Sequence, residues 1–365
     1  MVTRKYPPRI GGMEVLSYQL TQEMARRGPI RLITWGRSQR LLPFFFAYAM
    51  LRLCAGLLLG RISVLHLGDP VLAPLGWLAK RFGVPVAVTV HGLDVTFPRR
   101  VYQALLKTFA LGFDAYICIS REAQEQAAAR GVPKEKLHVI PVGISAPALT
   151  PEELQRAWVQ TGLPIPATAP VILTVGRLVP RKGVAWFVAE VCPRLMAHDS
   201  SVHYVIAGQG PDYQRVRAAV ARHGLGDHVH VLGQVTESQK WALYHRCQMC
   251  AMPNVSVPGD IEGFGIVALE AGIVGKPVLA ADLDGLRDAV TQEVNGLLLP
   301  PQDADAWVTA LQSLLRDADR RIRLGTSARA FVTRLFSWGK ICDQYQSIFA
   351  AVATKRAGCI RSLPP

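Results

Sequence analysis

The chain has 365 residues, 50% hydrophobic and 19% charged, which excludes a disordered or low-complexity protein and supplies cores for about two domains. Basic residues outnumber acidic ones by 41 to 27, a formal net charge of +14. The excess is concentrated: residues 1–150 hold 19 basic and 8 acidic side chains, and residues 151–365 hold 22 and 19. A first half so biased suits an anionic partner such as phosphates or a membrane surface, against the plainer reading of a solvated basic face. No recognition motif for nucleic acid accompanies the charge, so none is expected as a partner.

The opening MVTRKYPPRIGG is basic and turn-rich without an apolar core, which is not the pattern of a secretory signal. A helical pattern over 14–27 and a strand over 31–35 follow. The run LLPFFFAYAMLRLCAGLLLG at 41–60 is long enough to cross a bilayer, but it contains Arg52 and Pro43. A charge near mid-span costs about 2.5–3.5 kcal/mol on insertion scales. The run therefore predicts a helix packed on a sheet, with one face available to a membrane surface.

Beyond it, β-branched runs predict strands at 63–67, 84–90, 115–120 and 138–142, with a helix at 121–130. A stretch rich in Pro, Ala and Thr at 146–170 reads as a linker between a first domain, 1–145, and a second, 171–335. The second domain shows strands at 171–175, 203–207, 228–232 and 277–280, with helices at 182–197, 213–223 and 267–274. Alternation of this kind means an α/β fold with parallel sheets, whose ligands sit at the carboxyl ends of the strands. The tail at 336–352 is helical and carries Trp338, Tyr345 and Phe349 for docking on the first domain.

Seven scattered cysteines form no disulfide framework and predict a reducing compartment, hence a cytoplasmic protein. Cys247 and Cys250 form a C-x-x-C with neither a second pair nor a redox setting around it.

In VILTVGRLVPRKG, at 171–183, a strand ends in Gly176, then come Arg177 and Lys182, and Gly183 opens a helix. Two cations beside a helix N-terminus suit a diphosphate, although the order of a P-loop is absent. In GDIEGFGIVALEAGIVGKPVLA, at 259–280, Gly263 and Gly265 allow close approach to the backbone, and Ile266 and Val267 offer the amides of a helix start. Glu262 and Glu270, eight residues apart, would be about 12 Å apart on a continuous helix. That exceeds the spacing of a glycosidase pair, so separate binding duties fit better. Three D-x-D matches, at 282–284, 303–305 and 317–319, show how cheap that metal signature is, and no metal is expected. GQGPDY at 208–213 lacks the third glycine of a dinucleotide site.

Taken in order, the GG near the start, HGLDVT, IPVG, VGRLVPRKG, IAGQGP, EGFGIVALEA and NGLLLPPQD resemble the retaining glycosyltransferases of family 4. EGFGIVALEA is the most specific of them. The resemblance implies the GT-B fold, two Rossmann-like domains facing across a cleft, with a nucleoside-diphosphate sugar as co-substrate and no cofactor or metal. It implies Arg177 and Lys182 on the donor diphosphate, Glu270 on the ribose hydroxyls, Glu262 on the transferred sugar, and Phe264 to Val267 along sugar and phosphate. Gly208, Gly210 and Val235 fall where the nucleobase stacks. In the first domain, Gly11 and Gly12 match the loop approaching the diphosphate, and His91 and Asp94 face acceptor and sugar.

The first strand is short for this family, since only Met1 to Lys5 precede Tyr6. The charge and the apolar run point to a saccharide or lipid-linked acceptor, a cell-surface precursor reached at the inner face of a membrane. A nucleotide-sugar epimerase of the same fold, and a non-catalytic membrane scaffold, are the alternatives.

Overall fold

The computed structural model describes residues 1–8, 11–37, 39–97 and 99–361. They fall into two compact units, Met1–Gly143 with the segment from Phe336 onward, and Ile144–Leu335.

The first unit is built on strands β1 (Val2–Thr3), β2 (Ile33–Thr34), β3 (Leu65–Leu67), β4 (Val86–Val90), β5 (Ala115–Cys118) and β6 (Leu137–Val139). They form one parallel sheet in the order β2-β1-β3-β4-β5-β6. Strand β4, VAVTV, is buried at every position, because helices cover both faces of such a sheet and no residue can alternate toward water. Strand β1 is only two residues long yet lies inside the sheet, with Val2 and Thr3 both buried.

Helix Trp338–Arg361 packs beside helix Gly12–Arg27. The Trp338 indole donates to Gln19 Oε1 at 3.0 Å, and Arg27 donates to the Gly339 carbonyl at 3.1 Å. A Cβ on Gly143 would lie 2.5 Å from the Trp338 ring, so only glycine lets the indole seat there. Two and three turns later the rings of Tyr345 and Phe349 cover His66 of β3, at 5.6 and 5.4 Å between centroids. His66 bonds Thr89 at 2.8 Å, and burial pushes its imidazole down to about 3, so it stays neutral.

Helix Leu42–Leu58 occupies most of the long apolar run. Phe45, Ala49, Leu53 and Leu57 recur at helical spacing and face the core. Phe44, Tyr48, Leu51 and Leu58 lie on the outer side and are 70, 47, 73 and 75% exposed. Among the described residues no helix is long and apolar enough to cross a membrane.

The second unit carries β7 (Val171–Val175), β8 (His203–Ala207), β9 (Val229–Gly233), β10 (Met249–Met252), β11 (Val278–Ala281) and β12 (Gly296–Leu299), parallel and ordered β12-β11-β10-β7-β8-β9. Residues 146–170 are more than a connection. They hold helix Pro151–Val159, started by a capping box between Thr150 and Glu153. Arg246 donates to the carbonyls of Pro166, Ala167 and Ala169 at 2.8, 3.0 and 2.9 Å, which ties the segment into the second unit. Cys247 and Cys250 are free and buried, their sulfurs 3.9 Å apart.

Trp338→Ala removes a buried indole and its hydrogen bond, and truncations of this kind cost about 3–5 kcal/mol. Urea unfolding followed by circular dichroism should show the transition of the first unit at lower denaturant, with that of the second unit unmoved.

Candidate active site

In the second sheet the chain runs outward from β7 through β8 to β9, then returns to place β10 on the other side of β7. Loops leaving β7 and β10 therefore diverge and leave a crevice at the strands' carboxyl ends, the usual ligand position in such sheets.

Gly176 follows β7 with φ 142°, in the range that favours glycine. Arg177, next in line, is exposed and has no partner among the described residues. The loop continues through the turn Pro180–Lys182 to Gly183, φ 64°, where a Cβ would meet the Pro253 carbonyl at 1.9 Å. Val255 N donates to the Arg181 carbonyl at 2.8 Å, joining the loops after β7 and β10.

This contact brings Lys182 Nζ to 2.5 Å from Glu262 Oε2, which also accepts from Asn254 Nδ2 at 3.0 Å. Arg181 lies 3.6 Å from the same carboxylate and 2.8 Å from Asp260. Burial alone would raise the Glu262 carboxyl. Lys182 and Arg181 outweigh it and hold the group below its ordinary range, ionised.

After Glu262 the chain passes Gly263 and buried Phe264 to Gly265, left-handed at φ 80°, which opens helix Ile266–Ile273. The first amides of that helix lack intrahelical acceptors. Glu270 lies on the same helix, buried; one oxygen accepts from Lys240 Nζ at 2.7 Å and the other from the Tyr244 hydroxyl at 2.8 Å. Lys240 is desolvated, yet Glu270 and Glu237 raise its ammonium above the usual value. Tyr244 is pushed up by burial and by Glu270.

Gly208 and Gly210 are explained by the backbone. Cβ atoms there would meet the carbonyls of Gly176 and Leu178 at 1.8 and 2.0 Å, where the loop after β8 is laced to the loop after β7. Val235 is half-buried just beyond β9. Several of the D-x-D carboxylates already have partners. Asp282 pairs with Arg287 at 2.7 Å, Asp284 accepts from Glu262 N at 3.1 Å, Asp303 caps a helix, and Asp305 pairs with Arg194.

The first unit has its own break in strand order, between β1 and β3. Arg4 after β1 meets buried Asp69 after β3 at 2.9 Å. His91 follows β4. Its Nε2 is 3.0 Å from the Gly68 carbonyl, which can only accept, so Nε2 carries a proton. Its backbone N–H donates to both oxygens of Asp94 at 3.0 and 2.9 Å. Burial pushes Asp94 up to about 6, although His91 pulls the other way. Gly12 is exposed at the start of its helix with open space beside it. Gly11 is extended, and a Cβ there would crowd Glu14 Oε2 at 2.5 Å. Glu14 in turn lies 3.5 Å from Lys5.

Compared with known proteins, residues 160–331 match the family Glycosyl transferases group 1, and residues 1–143 match the Glycosyl transferase 4-like domain. A D-inositol 3-phosphate glycosyltransferase of Xylanimonas cellulosilytica is 32% identical over 81% of this chain and 73% of its own. This chain belongs to the family 4 glycosyltransferases. A GDP-mannose-dependent alpha-(1-6)-phosphatidylinositol monomannoside mannosyltransferase of Mycobacterium tuberculosis is 29% identical over 73% of this chain and 70% of that one. In fold, the chain matches the Anabaena protein HepE solved with UDP, at TM-score 0.75 and 18% identity over 96% of this chain and 99% of that one. Sucrose-phosphate synthase of Thermosynechococcus elongatus matches at TM-score 0.73 and 24% identity over the same shares. The fold is GT-B.

Within this glycosyltransferase the structure gathers Gly176, Lys182 and Glu262 at one crevice, with the helix start at Ile266 following Glu262 in the chain. Arg181, Asn254, Lys240 and Tyr244 are additions that the motifs alone do not single out. Arg181 stands inside a quoted motif. Lys240 lies 30 residues before Glu270, outside every quoted motif.

Asp94 gives a pH signature. A carboxyl raised in the folded state contributes stability below its unfolded pKa, near 4, and loses it as pH rises through about 6. The stability of the protein relative to its Asp94→Asn variant should fall by about 2–3 kcal/mol between pH 4 and pH 7, read by urea unfolding at each pH.

Proposed function

We propose that this glycosyltransferase is a retaining, metal-independent hexosyltransferase. It takes its sugar from a nucleoside-diphosphate sugar and delivers it to a lipid-linked acceptor at the cytoplasmic face of an anionic membrane. The observation that carries the donor half is the crevice of the second unit, where Lys182 and Arg181 stand by the loop that leads into the helix start at Ile266.

Arg177 and Lys182 grip the diphosphate, and the amides of Ile266 and Val267 add donors fixed in advance. Glu262 receives hydroxyls of the transferred sugar. Glu270 receives the ribose hydroxyls, its oxygens having lone pairs to spare beyond Lys240 and Tyr244. In the first unit, His91 positions the acceptor.

Both buried glutamates are already bound to cations or donors, which argues against either as a nucleophile. The acceptor oxygen then bonds the anomeric carbon on the face that the diphosphate leaves. The bond from that carbon to the phosphate oxygen breaks, and the acceptor proton passes to the same phosphate oxygen. The engagement of Asp282 and Asp284 supports transfer without a metal.

The relatives are named for inositol phosphate and phosphatidylinositol mannoside acceptors, and the Mycobacterium protein for GDP-mannose. HepE is solved with UDP and with UDP-glucose. Calorimetry should therefore show binding of GDP-mannose or UDP-glucose that is unchanged by EDTA. Arg177→Ala and Glu270→Ala should each weaken it about 10–100-fold without unfolding the protein. Unaltered affinity in both overturns the site assignment.

The membrane half rests on helix Leu42–Leu58. Its outer face is apolar, its first turn has no acidic residue, and Arg52 stands exposed on it between Arg40 and Arg61. Near an anionic surface each such arginine contributes about 1 kcal/mol. Flotation with phosphatidylglycerol vesicles at low salt should carry the protein. The double variant Leu51→Glu, Leu58→Glu should cut binding at least tenfold while donor binding persists.

A further inference from the structure

The first unit contains an apolar cavity of about 690 Å³ that the donor site does not use. Its size is that of a small-ligand site. Val88, Val90 and Tyr116 of the sheet form its floor, and all three are fully buried. Leu106, from helix Arg100–Phe109, and Val132, beyond helix Arg121–Ala128, close its sides.

The polar atoms of this lining are largely spent. The Tyr116 hydroxyl donates to the Ala110 carbonyl and accepts from Phe113 N, so the floor presents the ring. Gln103 donates its amide to the carbonyls of Val95 and Phe97 at 3.0 and 2.8 Å. What remains at the rim is exposed Ala104 and two cations, Lys107 and Arg130. Lys107 has no ion pair among the described residues. Among the described residues Arg130 bonds only Gln126, through Nη1 at 2.8 and 2.9 Å, and partial burial lowers its pKa. Among the described residues no acidic side chain lines the cavity.

We propose that this cavity binds a single hydrocarbon chain carrying an anionic head. The chain lies on the Val88–Val90–Tyr116 floor, and the head meets Lys107 and Arg130. An apolar hollow of this size without free polar groups favours hydrocarbon over water or sugar, and the two unopposed cations select the charge. Val90 and Val95, which flank the His91–Asp94 turn, also line the cavity, so its occupant adjoins that turn. The inference stands apart from the donor site and from the outer face of helix Leu42–Leu58.

The test uses the full chain and a fluorescent fatty acid, dansyl-undecanoate, displaced below micellar concentrations by palmitate, by 1-palmitoyl-lysophosphatidylglycerol or by neutral monopalmitoylglycerol. Palmitate and the lysophospholipid should displace the probe from one site at least tenfold more tightly than the neutral lipid. Ala104→Trp, which fills the mouth from an exposed position, should weaken both at least tenfold with thermal unfolding unchanged. Lys107→Ala with Arg130→Ala should abolish the preference for the charged head while the neutral lipid still binds. The Leu51→Glu, Leu58→Glu protein should bind as the unaltered one does. Equal binding by Ala104→Trp, indifference to head charge, or loss of binding in the Leu51, Leu58 variant overturns the proposal, the last by showing adsorption on the outer face of that helix.

Discussion

Backbone meets backbone at four places around the crevice of the second unit, and none leaves room for a side chain. Gly208 lies on the Gly176 carbonyl, Gly210 on that of Leu178, Gly183 on that of Pro253, and Gly285 on that of Gly263. A methyl group at any of them would stand 1.8–2.3 Å from a carbonyl oxygen. The loops after β7, β8, β10 and β11 are thereby drawn together, and the charged side chains they carry have few other places to go. The close approach of Lys182 to Glu262 is a result of that lacing, as is the placing of Asp284 beneath Glu262.

The electrostatic design follows. Each buried carboxylate of the crevice is matched before any ligand arrives: Glu262 by Lys182, Arg181 and Asn254, Glu270 by Lys240 and Tyr244. Buried charges without such partners would be neutralised by shifts in their own pKa. Arg177 alone of the motif cations is left exposed and unmatched among the described residues. A site whose groups are already oriented spends little on rearrangement when negative charge develops on a leaving phosphate.

The alternation of β-branched runs and helical patterns made the α/β class and parallel sheets legible, because strands buried on both faces must be apolar throughout. Strands β10 and β12 are four-residue apolar runs with no periodicity to separate them from their surroundings. Helix Pro151–Val159 hid behind the composition of its neighbours, although Thr150, Pro151 and Glu153 spell a capped start. In the site, residues inside EGFGIVALEA and VGRLVPRKG could be read directly. Lys240 and Asn254 could not, since their roles depend on which helix and loop pack beside Glu270 and Glu262. The glycines of IAGQGP pack backbone to backbone against the loop after β7, a contact that the motif alone does not reveal; sequence marks that a side chain is forbidden without saying what forbids it.

The contact between Thr89 and Tyr345 joins residues 256 apart in sequence. The sheet of the first unit is thus made early during synthesis, but the helix that covers His66 emerges only after the whole of Ile144–Leu335. On the ribosome the first unit waits with that face of its sheet uncovered while the second, continuous in sequence, has every residue it needs to fold. Truncation near the carboxyl terminus would therefore injure the unit that was begun first.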